Sequence, residues 1–211
     1  MSLFDDISAF LQKGKAQDVK DLVQKALDEG NNAKDILENG LMVGMGIIGA
    51  KFKNNEVFVP EVLIAARAMN AGIEILKPHM IKDKVESKGK VVLGTVKGDL
   101  HDIGKNLVKI MMEGKGLEVV DLGTDVSAEK FLNAVKEHKA HIIACSALLT
   151  TTMTYMKEIV KAMEESGIRK DVTIMVGGAP VTENFCQSIG ADIYTSDAAS
   201  AAERAILALS A

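Results

Sequence analysis

The sequence predicts a small α-helical bundle followed by a five-stranded, doubly wound parallel α/β domain, and two observations carry this prediction. Residues 1–84 place apolar side chains at helical spacing and show no strand-like alternation. Residues 91–211 alternate short apolar runs with amphipathic stretches. Strands this apolar are buried on both faces, so the second pattern indicates a parallel sheet covered by helices.

Four helices are predicted in the first part of the chain. Val62, Ala66 and Met69 fall on one helical face, and Pro60 stands near a first turn, where proline is tolerated. The predicted helices cover residues 3–12, 16–29, 33–52 and 60–81. A set of this kind forms a helix bundle.

A polar, charged and glycine-containing stretch, residues 82–90, is the best candidate for a linker. The predicted domain organisation is a helical bundle over residues 1–84, a linker over 85–90 and an α/β domain over 91–211.

Five βα units are predicted in the second part. The strands are expected over residues 91–96, 117–123, 141–148, 172–178 and 191–196. The helices are expected over 104–115, 127–138, 152–166, 181–188 and 198–209. Right-handed crossovers make this a doubly wound open sheet, in which ligands bind at the carboxyl ends of the strands. Functional residues are therefore expected in the loops that follow the strands.

Composition excludes several classes of function. The chain of 211 residues has a formal net charge of −4 and no basic stripe with interleaved aromatics, which argues against nucleic acid. No apolar run approaches the roughly 20 residues of a membrane span. No signal-peptide pattern is visible, so a cytoplasmic protein is expected. Cys145 and Cys186 form no CxxC pair, and Cys145 is expected to be a core residue of a strand.

The loop after the first predicted strand contains the most informative residues, Asp99, His101 and Asp102. The other loops are rich in hydroxyls and glycines and poor in cations. They contain neither GxGxxG nor a Walker lysine, so a nucleotide-binding Rossmann site is disfavoured.

His101 is a candidate metal ligand. Asp99, two residues earlier, can accept from one ring nitrogen, fix the tautomer and leave the other nitrogen's lone pair free. This pairing commonly surrounds a metal-bound imidazole. The remaining histidines, at 79, 138 and 141, fall away from this loop, so a zinc site lacks further ligands. One imidazole in a pocket without other ligands suggests a metal already held by a macrocycle.

Three motifs, on the first, third and fourth predicted βα units, resemble those of cobalamin-binding domains. Asp99-x-His101-x-x-Gly104 resembles the DxHxxG signature, Ser146-Ala147-Leu148 the serine-led third-strand motif, and Gly177-Gly178 the paired glycine after the fourth strand. Together with the helical bundle, the resemblance covers essentially the whole chain. It points to corrinoid proteins of methyltransferase systems and to the cobalamin module of methionine synthase. It implies a Rossmann-like, flavodoxin-like cobalamin-binding fold with a helical cap.

The resemblance implies a role for each motif residue. Cobalamin would bind base-off and His-on, with His101 as the lower axial ligand of cobalt. Asp99 would hold His101, and Thr152 would hold Asp99 from a position where methionine synthase has serine. Threonine retains the donor but has fewer rotamers.

Further contacts to the corrin or to its tail are implied by the same resemblance. They are Gly98, Leu100, Asp102, Ile103, Gly104, Ser146, Leu148, Thr150, Gly177, Gly178 and Ala198. An alternative for Asp102 is that it only caps the helix beginning near Gly104. Phe58 is the candidate to cover the upper face of cobalt, and the alternative is that it staples the third and fourth helices.

The function implied by the resemblance is that of a methyl carrier that does no substrate chemistry itself. Its partners would be a substrate-specific methyltransferase, a second methyltransferase with a folate-type or thiol-type acceptor, and a reductive activator protein. Methanol, methylamines and methoxylated aromatics are the candidate donors. A cobalamin-dependent sensor and a mutase small subunit are the alternatives. The first usually carries a DNA-binding module, and the second usually lacks a four-helix cap directly ahead of the sheet.

Overall fold

The chain divides after Glu86 into a helical unit, Met1–Glu86, and an α/β unit, Ser87–Ala211. The computed structural model describes residues 2–82 and 85–210. Residues 83 and 84, part of the stretch predicted as a linker, lie outside the described residues. No helix within the described residues is both long enough and apolar enough to cross a bilayer.

Within its described residues, the helical unit contains five α-helical segments. They are α1 (Leu3–Gln12), α2 (Ala16–Asp28), α3 (Ala33–Ile36), α4 (Met42–Lys53) and α5 (Val59–Lys82). Ser2 and Asp5 form a capping box at the start of α1. Gly44 lets helices α1 and α4 approach closely. A Cβ at this position would lie only 3.1 Å from the backbone of Ser8.

Helical structure covers the predicted segment 33–52 without a break, but five of its residues, Leu37–Leu41, form a π-helical turn between α3 and α4. Ile36, Leu41, Met45 and Ile48 are all buried in the core. The step of five residues between the first two exceeds an α-helical turn, and a π turn accommodates it. The π turn therefore keeps the apolar residues of α3 and α4 facing the same core.

The α/β unit is built on a five-stranded sheet, as predicted. The strands are β1 (Lys90–Thr95), β2 (Glu118–Asp121), β3 (Ile142–Ser146), β4 (Thr173–Gly177) and β5 (Ile193–Thr195). All pairings are parallel, in the order β2-β1-β3-β4-β5. The chain leaves β1 toward β2 on one side and returns to β3 on the other, so the sheet's switch point lies between β1 and β3.

The strand register aligns the loops that were predicted to be functional. Thr95 pairs with Ser146, Ser146 with Gly177, and Gly177 with Thr195. The carboxyl ends of β1, β3, β4 and β5 therefore form one straight edge, and their following loops start side by side.

Helices cover both faces of this sheet. They are α6 (Ile103–Gly114), α7 (Ala128–His138), α8 (Thr154–Glu165), α9 (Glu183–Ser188) and α10 (Ala198–Leu209). Helix α6 packs against α10 and α7 packs against α8, as right-handed crossovers in this strand order require. Phe131 is the largest fully buried side chain, and it packs with Val92, Val126 and Ile143 in the core under α7 and α8.

Candidate functional site

A tight turn after β1 brings Asp99 into the interior. The carbonyl of Val96 accepts from the Asp99 N–H at 3.1 Å, and Gly98 has φ +78°. A positive φ at the third residue defines a type II turn and favours glycine there. The Asp99 side chain is 0% exposed.

Five donors converge on the Asp99 carboxylate. Its Oδ1 accepts from the backbone N–H of His101 at 3.1 Å and lies 2.8 Å from the ring Nδ1 of His101. Its Oδ2 accepts from the N–H of Leu148 at 2.8 Å, the N–H of Leu149 at 3.2 Å and the Thr152 hydroxyl at 2.8 Å. The structure thus brings together Asp99, His101 and Thr152, the three residues singled out in the sequence.

The contact with Asp99 determines which nitrogen of a neutral His101 ring carries the proton. Burial raises the pKa of Asp99, but the hydrogen bonds from Leu148, His101 and Thr152 lower it more, so this pKa lies well below its ordinary value. An ionised carboxylate is an acceptor only. The proton of a neutral ring therefore sits on Nδ1, and Nε2 keeps its lone pair. The side chain of His101 is 53% exposed, so this nitrogen has access to a ligand.

Threonine at 152 fits the carboxylate without strain on the loop. Its Oγ1 also lies 2.9 Å from the carbonyl of Leu149, and its N–H donates to the same carbonyl. Residue 152 is therefore part of a turn, and α8 starts two residues later than predicted, at Thr154.

Replacing Thr152 by valine is expected to lower the free energy of unfolding by about 2 kcal/mol, because a buried hydrogen bond to a charged group is lost. Serine at the same position keeps the donor and removes only a methyl group, so the expected loss is about half as large. Urea unfolding of the two variants measures the difference. Equal losses would show that the hydroxyl does not support Asp99.

Two further contacts hold this loop and were missed in the sequence. The buried hydroxyl of Thr95 donates to the carbonyl of His101 at 2.9 Å. Buried Lys105 places its Nζ 2.7 Å from both carboxylate oxygens of Asp121, at the end of β2. The only sequence signal for Lys105 is its place seven residues before Met112, on the inward face of α6. These contacts fix the start of α6 against β1 and β2.

The alternative that the Asp102 side chain caps α6 is wrong. Asp102 stands at the N-cap position, but its carboxylate accepts from the side-chain amide of Asn106 at 3.2 Å and makes no capping bond. Its φ of −123° and ψ of −17° are not the extended conformation in which an N-cap side chain reaches the following N–H groups.

The remaining predicted residues occupy two kinds of position. The side chains of Leu100, Ile103 and Leu148 are exposed beside the His101 loop, together with Leu149. The other predicted residues lie in loops, at strand ends or at helix starts: Gly98, Gly104, Ser146, Thr150, Gly177, Gly178 and Ala198. Gly178 has φ +128°, and a Cβ there would overlap the carbonyl oxygen of Ala147.

Phe58 belongs to the helical unit, where its side chain is 62% exposed. This exposure leaves little of the ring for packing between helices and disfavours the stapling alternative.

Neither cysteine is suited to act as a nucleophile. Burial raises the pKa of Cys145 far above its ordinary value. Burial and the nearby charges of Glu183 and Asp192 raise the pKa of Cys186 to about 11. Both thiols are buried, in agreement with the core role predicted for Cys145.

The donor set fits a metal that arrives inside a macrocycle. Within residues 2–82 and 85–210, no three His, Cys, Asp or Glu side chains lie close enough to hold a bare metal ion. His101 would hold such a metal through one ring nitrogen, and the exposed leucines and isoleucine beside it would contact the ring. The fold and this site together define a cobalamin-binding protein.

Comparison with known proteins gives the family. A B12 binding domain model matches residues 89–206, and a second B12 binding domain model matches residues 3–77. The chain belongs to the family of B12-binding corrinoid proteins, as the three sequence motifs predicted, and its cofactor is a corrinoid.

Relatives of similar length are available for comparison. A corrinoid protein of Desulfitobacterium hafniense (strain Y51) is 42% identical over 208 residues, covering 97% of this chain and 96% of the relative. Trimethylamine corrinoid protein 1 of Methanosarcina mazei is 47% identical over 176 residues, covering 82% of each chain.

Two solved structures share the fold. The methanol:cobalamin methyltransferase complex MtaBC from Methanosarcina barkeri matches with a TM-score of 0.88 and 34% identity, covering 99% of this chain and 80% of that chain. A cobalamin-binding protein from Desulfitobacterium hafniense DCB-2 matches with a TM-score of 0.82 and 32% identity, covering 99% and 98%.

Proposed function

We propose that this protein is a methyl carrier that holds its corrinoid through His101 and serves a substrate-specific methyltransferase and a second methyltransferase in turn. The observation that carries this proposal is the fully buried Asp99 carboxylate, which orients His101 through its ring Nδ1. When bound, the corrinoid supplies a cobalt atom that accepts a methyl group and gives it up again.

The residues of this chain prepare the lower side of the cofactor. Asp99 keeps the proton of His101 on Nδ1, so that Nε2 is free to donate its lone pair to cobalt. In this proposal His101 would take the place of the cofactor's own base on cobalt, which is the base-off, His-on mode. Gly177, the last residue of β4, and Gly178 after it have no side chain and would let the displaced tail of the cofactor pass close to the backbone.

The names of the relatives support the choice of partners and donor. They include trimethylamine and dimethylamine corrinoid proteins and a methanol:cobalamin methyltransferase complex. We propose a methylated amine or methanol as the donor, a folate-type or thiol-type acceptor on the second methyltransferase, and a reductive activator protein. A methoxylated aromatic donor is the competing outcome.

Cobalamin reconstitution tests the role of His101. The apoprotein, incubated with cobalamin and desalted, is expected to stay coloured and to show the spectrum of the base-off, His-on form. His101→Ala is expected to bind cobalamin at least about tenfold more weakly or with a changed axial ligand. His138→Ala, a replacement at the end of α7, is the matched control. Equal binding and equal spectra for the wild type and His101→Ala would overturn the proposal.

A transfer assay separates the carrier from the sensor. The reconstituted protein is mixed with methylamine or methanol methyltransferases and the corresponding donor, and the cobalt spectrum is followed. With the cobalt first reduced to the Co(I) state by an added chemical reductant, a carrier shows donor-dependent methylation, and demethylation when the second methyltransferase and its acceptor are added. A protein that binds cobalamin but never exchanges methyl groups with any donor of the panel would instead fit the sensor.

A further inference from the structure

We propose that Asp125 is a positioning residue for the His101 loop, which it holds through hydrogen bonds to the backbone. The inference rests on the proposed function only for its consequence at cobalt. Asp125 lies in the segment between β2 and α7, and none of its described hydrogen bonds involves the His101 ring.

Asp125 makes two hydrogen bonds to the turn after β1. Its Oδ1 accepts from the Gly98 N–H at 2.7 Å, and its own N–H donates to the Asp99 carbonyl at 3.0 Å. The two bonds engage the N–H of one residue and the carbonyl of the next. The main chain at Gly98 and Asp99 therefore cannot rotate without breaking one of them.

The backbone of Asp125 adopts a rare conformation to make both bonds. Its φ is +53°, in the left-handed region. Among the non-glycine residues that the structure describes, only Asn55 and Lys139 share a positive φ, and Lys139 ends α7 at a C-cap, where this conformation is common. Aspartate and asparagine tolerate the left-handed region better than other residues with a Cβ. Aspartate therefore meets two demands here, the conformation and the acceptor.

The contacts hold the His101 loop from both neighbouring strands. Strand β1 lies between β2 and β3 in the sheet. Asp125, after β2, fixes the backbone of the loop, and Leu148 and Leu149, after β3, fix the Asp99 carboxylate. The direction of the Asp99 side chain follows from its backbone. Loss of the hydrogen bond with Asp125 would therefore make the position of the carboxylate that orients His101 less fixed. The neighbouring bridge between Val96 and Val126 keeps the two segments parallel.

Three substitutions separate the side-chain bond from the backbone conformation. Asp125→Asn keeps an acceptor oxygen and tolerates the left-handed region. Asp125→Gly removes the acceptor but favours the conformation, and Asp125→Ala removes the acceptor and disfavours the conformation. If the side-chain hydrogen bond holds the loop, the asparagine variant is expected to behave like the wild type, and the glycine and alanine variants are expected to be defective. If only the conformation mattered, glycine would behave like the wild type.

The first readout needs no cofactor. In the apoprotein, amide exchange at Gly98 is expected to be about tenfold faster or more in Asp125→Gly and Asp125→Ala, and unchanged in Asp125→Asn, because the hydrogen bond protects this amide. Amides in the middle of β3 serve as the internal reference and are expected to be unaffected. Slow exchange of the Gly98 amide in the glycine variant, or fast exchange in the asparagine variant, would show that the Asp125 side chain does not hold the loop.

The second readout follows cobalt. After reconstitution with cobalamin, the glycine and alanine variants are expected to show a reduced fraction of histidine-ligated cobalt in the visible and EPR spectra, with rescue by asparagine. Full histidine ligation in the glycine variant would overturn the positioning role. If the wild type itself shows no histidine ligation, the proposed function has failed, and the Gly98 exchange still decides whether Asp125 grips the loop.

Discussion

Replacing Asp99 by asparagine is expected to move the proton of the His101 ring from Nδ1 to Nε2 and to lower the free energy of unfolding by about 3 kcal/mol. The wild-type carboxylate accepts from five donors. An amide supplies only one acceptor oxygen. With that oxygen directed at Leu148, Leu149 and Thr152, its NH₂ group faces His101, and the ring must accept at Nδ1.

The opposite orientation of the asparagine amide is worse, because it sets the NH₂ group against three donors. The favoured orientation still places an N–H against the backbone N–H of His101, which explains the expected loss of stability. It also leaves no lone pair on Nε2 for a metal, since a neutral ring that accepts at Nδ1 carries its proton on Nε2.

Nitrogen NMR of ¹⁵N-histidine-labelled apoprotein measures the tautomer directly. The wild type is expected to show the Nδ1-protonated ring and Asp99→Asn the Nε2-protonated ring. Asp102→Asn, which changes a neighbouring carboxylate that contacts only Asn106 among the described hydrogen bonds, is the control. An unchanged tautomer in Asp99→Asn would show that Asp99 does not determine which ring nitrogen of His101 carries the proton.

Replacing Gly178 by alanine is expected to lower the free energy of unfolding by about 3 kcal/mol or more, or to prevent folding. The φ of +128° is rarely adopted by residues with a side chain, and the new Cβ would overlap the backbone of Ala147 at the end of β3. The backbone of Ala147, which directly follows β3 and whose N–H donates to the carbonyl of Gly177, cannot move aside as the end of a flexible side chain can.

Gly177→Ala is the matched control for that variant. Gly177 has no positive φ, and a Cβ there would lie 3.3 Å from the carbonyl of Thr195, a contact that small shifts relieve. Its expected loss is about 1 kcal/mol. Urea unfolding of the two apoproteins compares them. Equal stabilities would show that the backbone around Gly178 adjusts to a Cβ, and that the contact with Ala147 does not require glycine there.

The main elements of the fold could be predicted because most strands are short apolar runs bounded by polar loops; β2, Glu118–Asp121, is the exception, with two acidic residues and no buried one. The π-helical turn at Leu37–Leu41 could not, because it arises from the match between Ile36 and Leu41 and a common core. Such a match depends on tertiary packing. Helix propensity, which is similar for the two kinds of helix, carries no trace of it.

The site was predictable where its contacts are local. Asp99 and His101 are two residues apart, and a spacing of two lets a carboxylate reach back to a ring. Thr152 was found through the family resemblance. The amides of Leu148 and Leu149 were not found, because every residue except proline has an N–H and only the fold directs it.

Asp125 was missed for a different reason. Its partners, Gly98 and Asp99, are more than 25 positions away in the chain, and its left-handed backbone leaves no mark on the sequence beyond the choice of aspartate. Lys105 was missed because a lysine on a helix is usually solvated, whereas here Asp121 neutralises it in the interior.

We propose above all that His101 supplies a protein nitrogen as the lower ligand of cobalt. EPR of the cobalt(II) form tests it most directly, because the nuclear spin of the axial nitrogen splits each line into three for ¹⁴N and into two for ¹⁵N. Uniformly ¹⁵N-labelled protein reconstituted with unlabelled cobalamin is expected to give the two-line pattern. A three-line pattern would show that the cofactor's own base remains on cobalt and would contradict the claim.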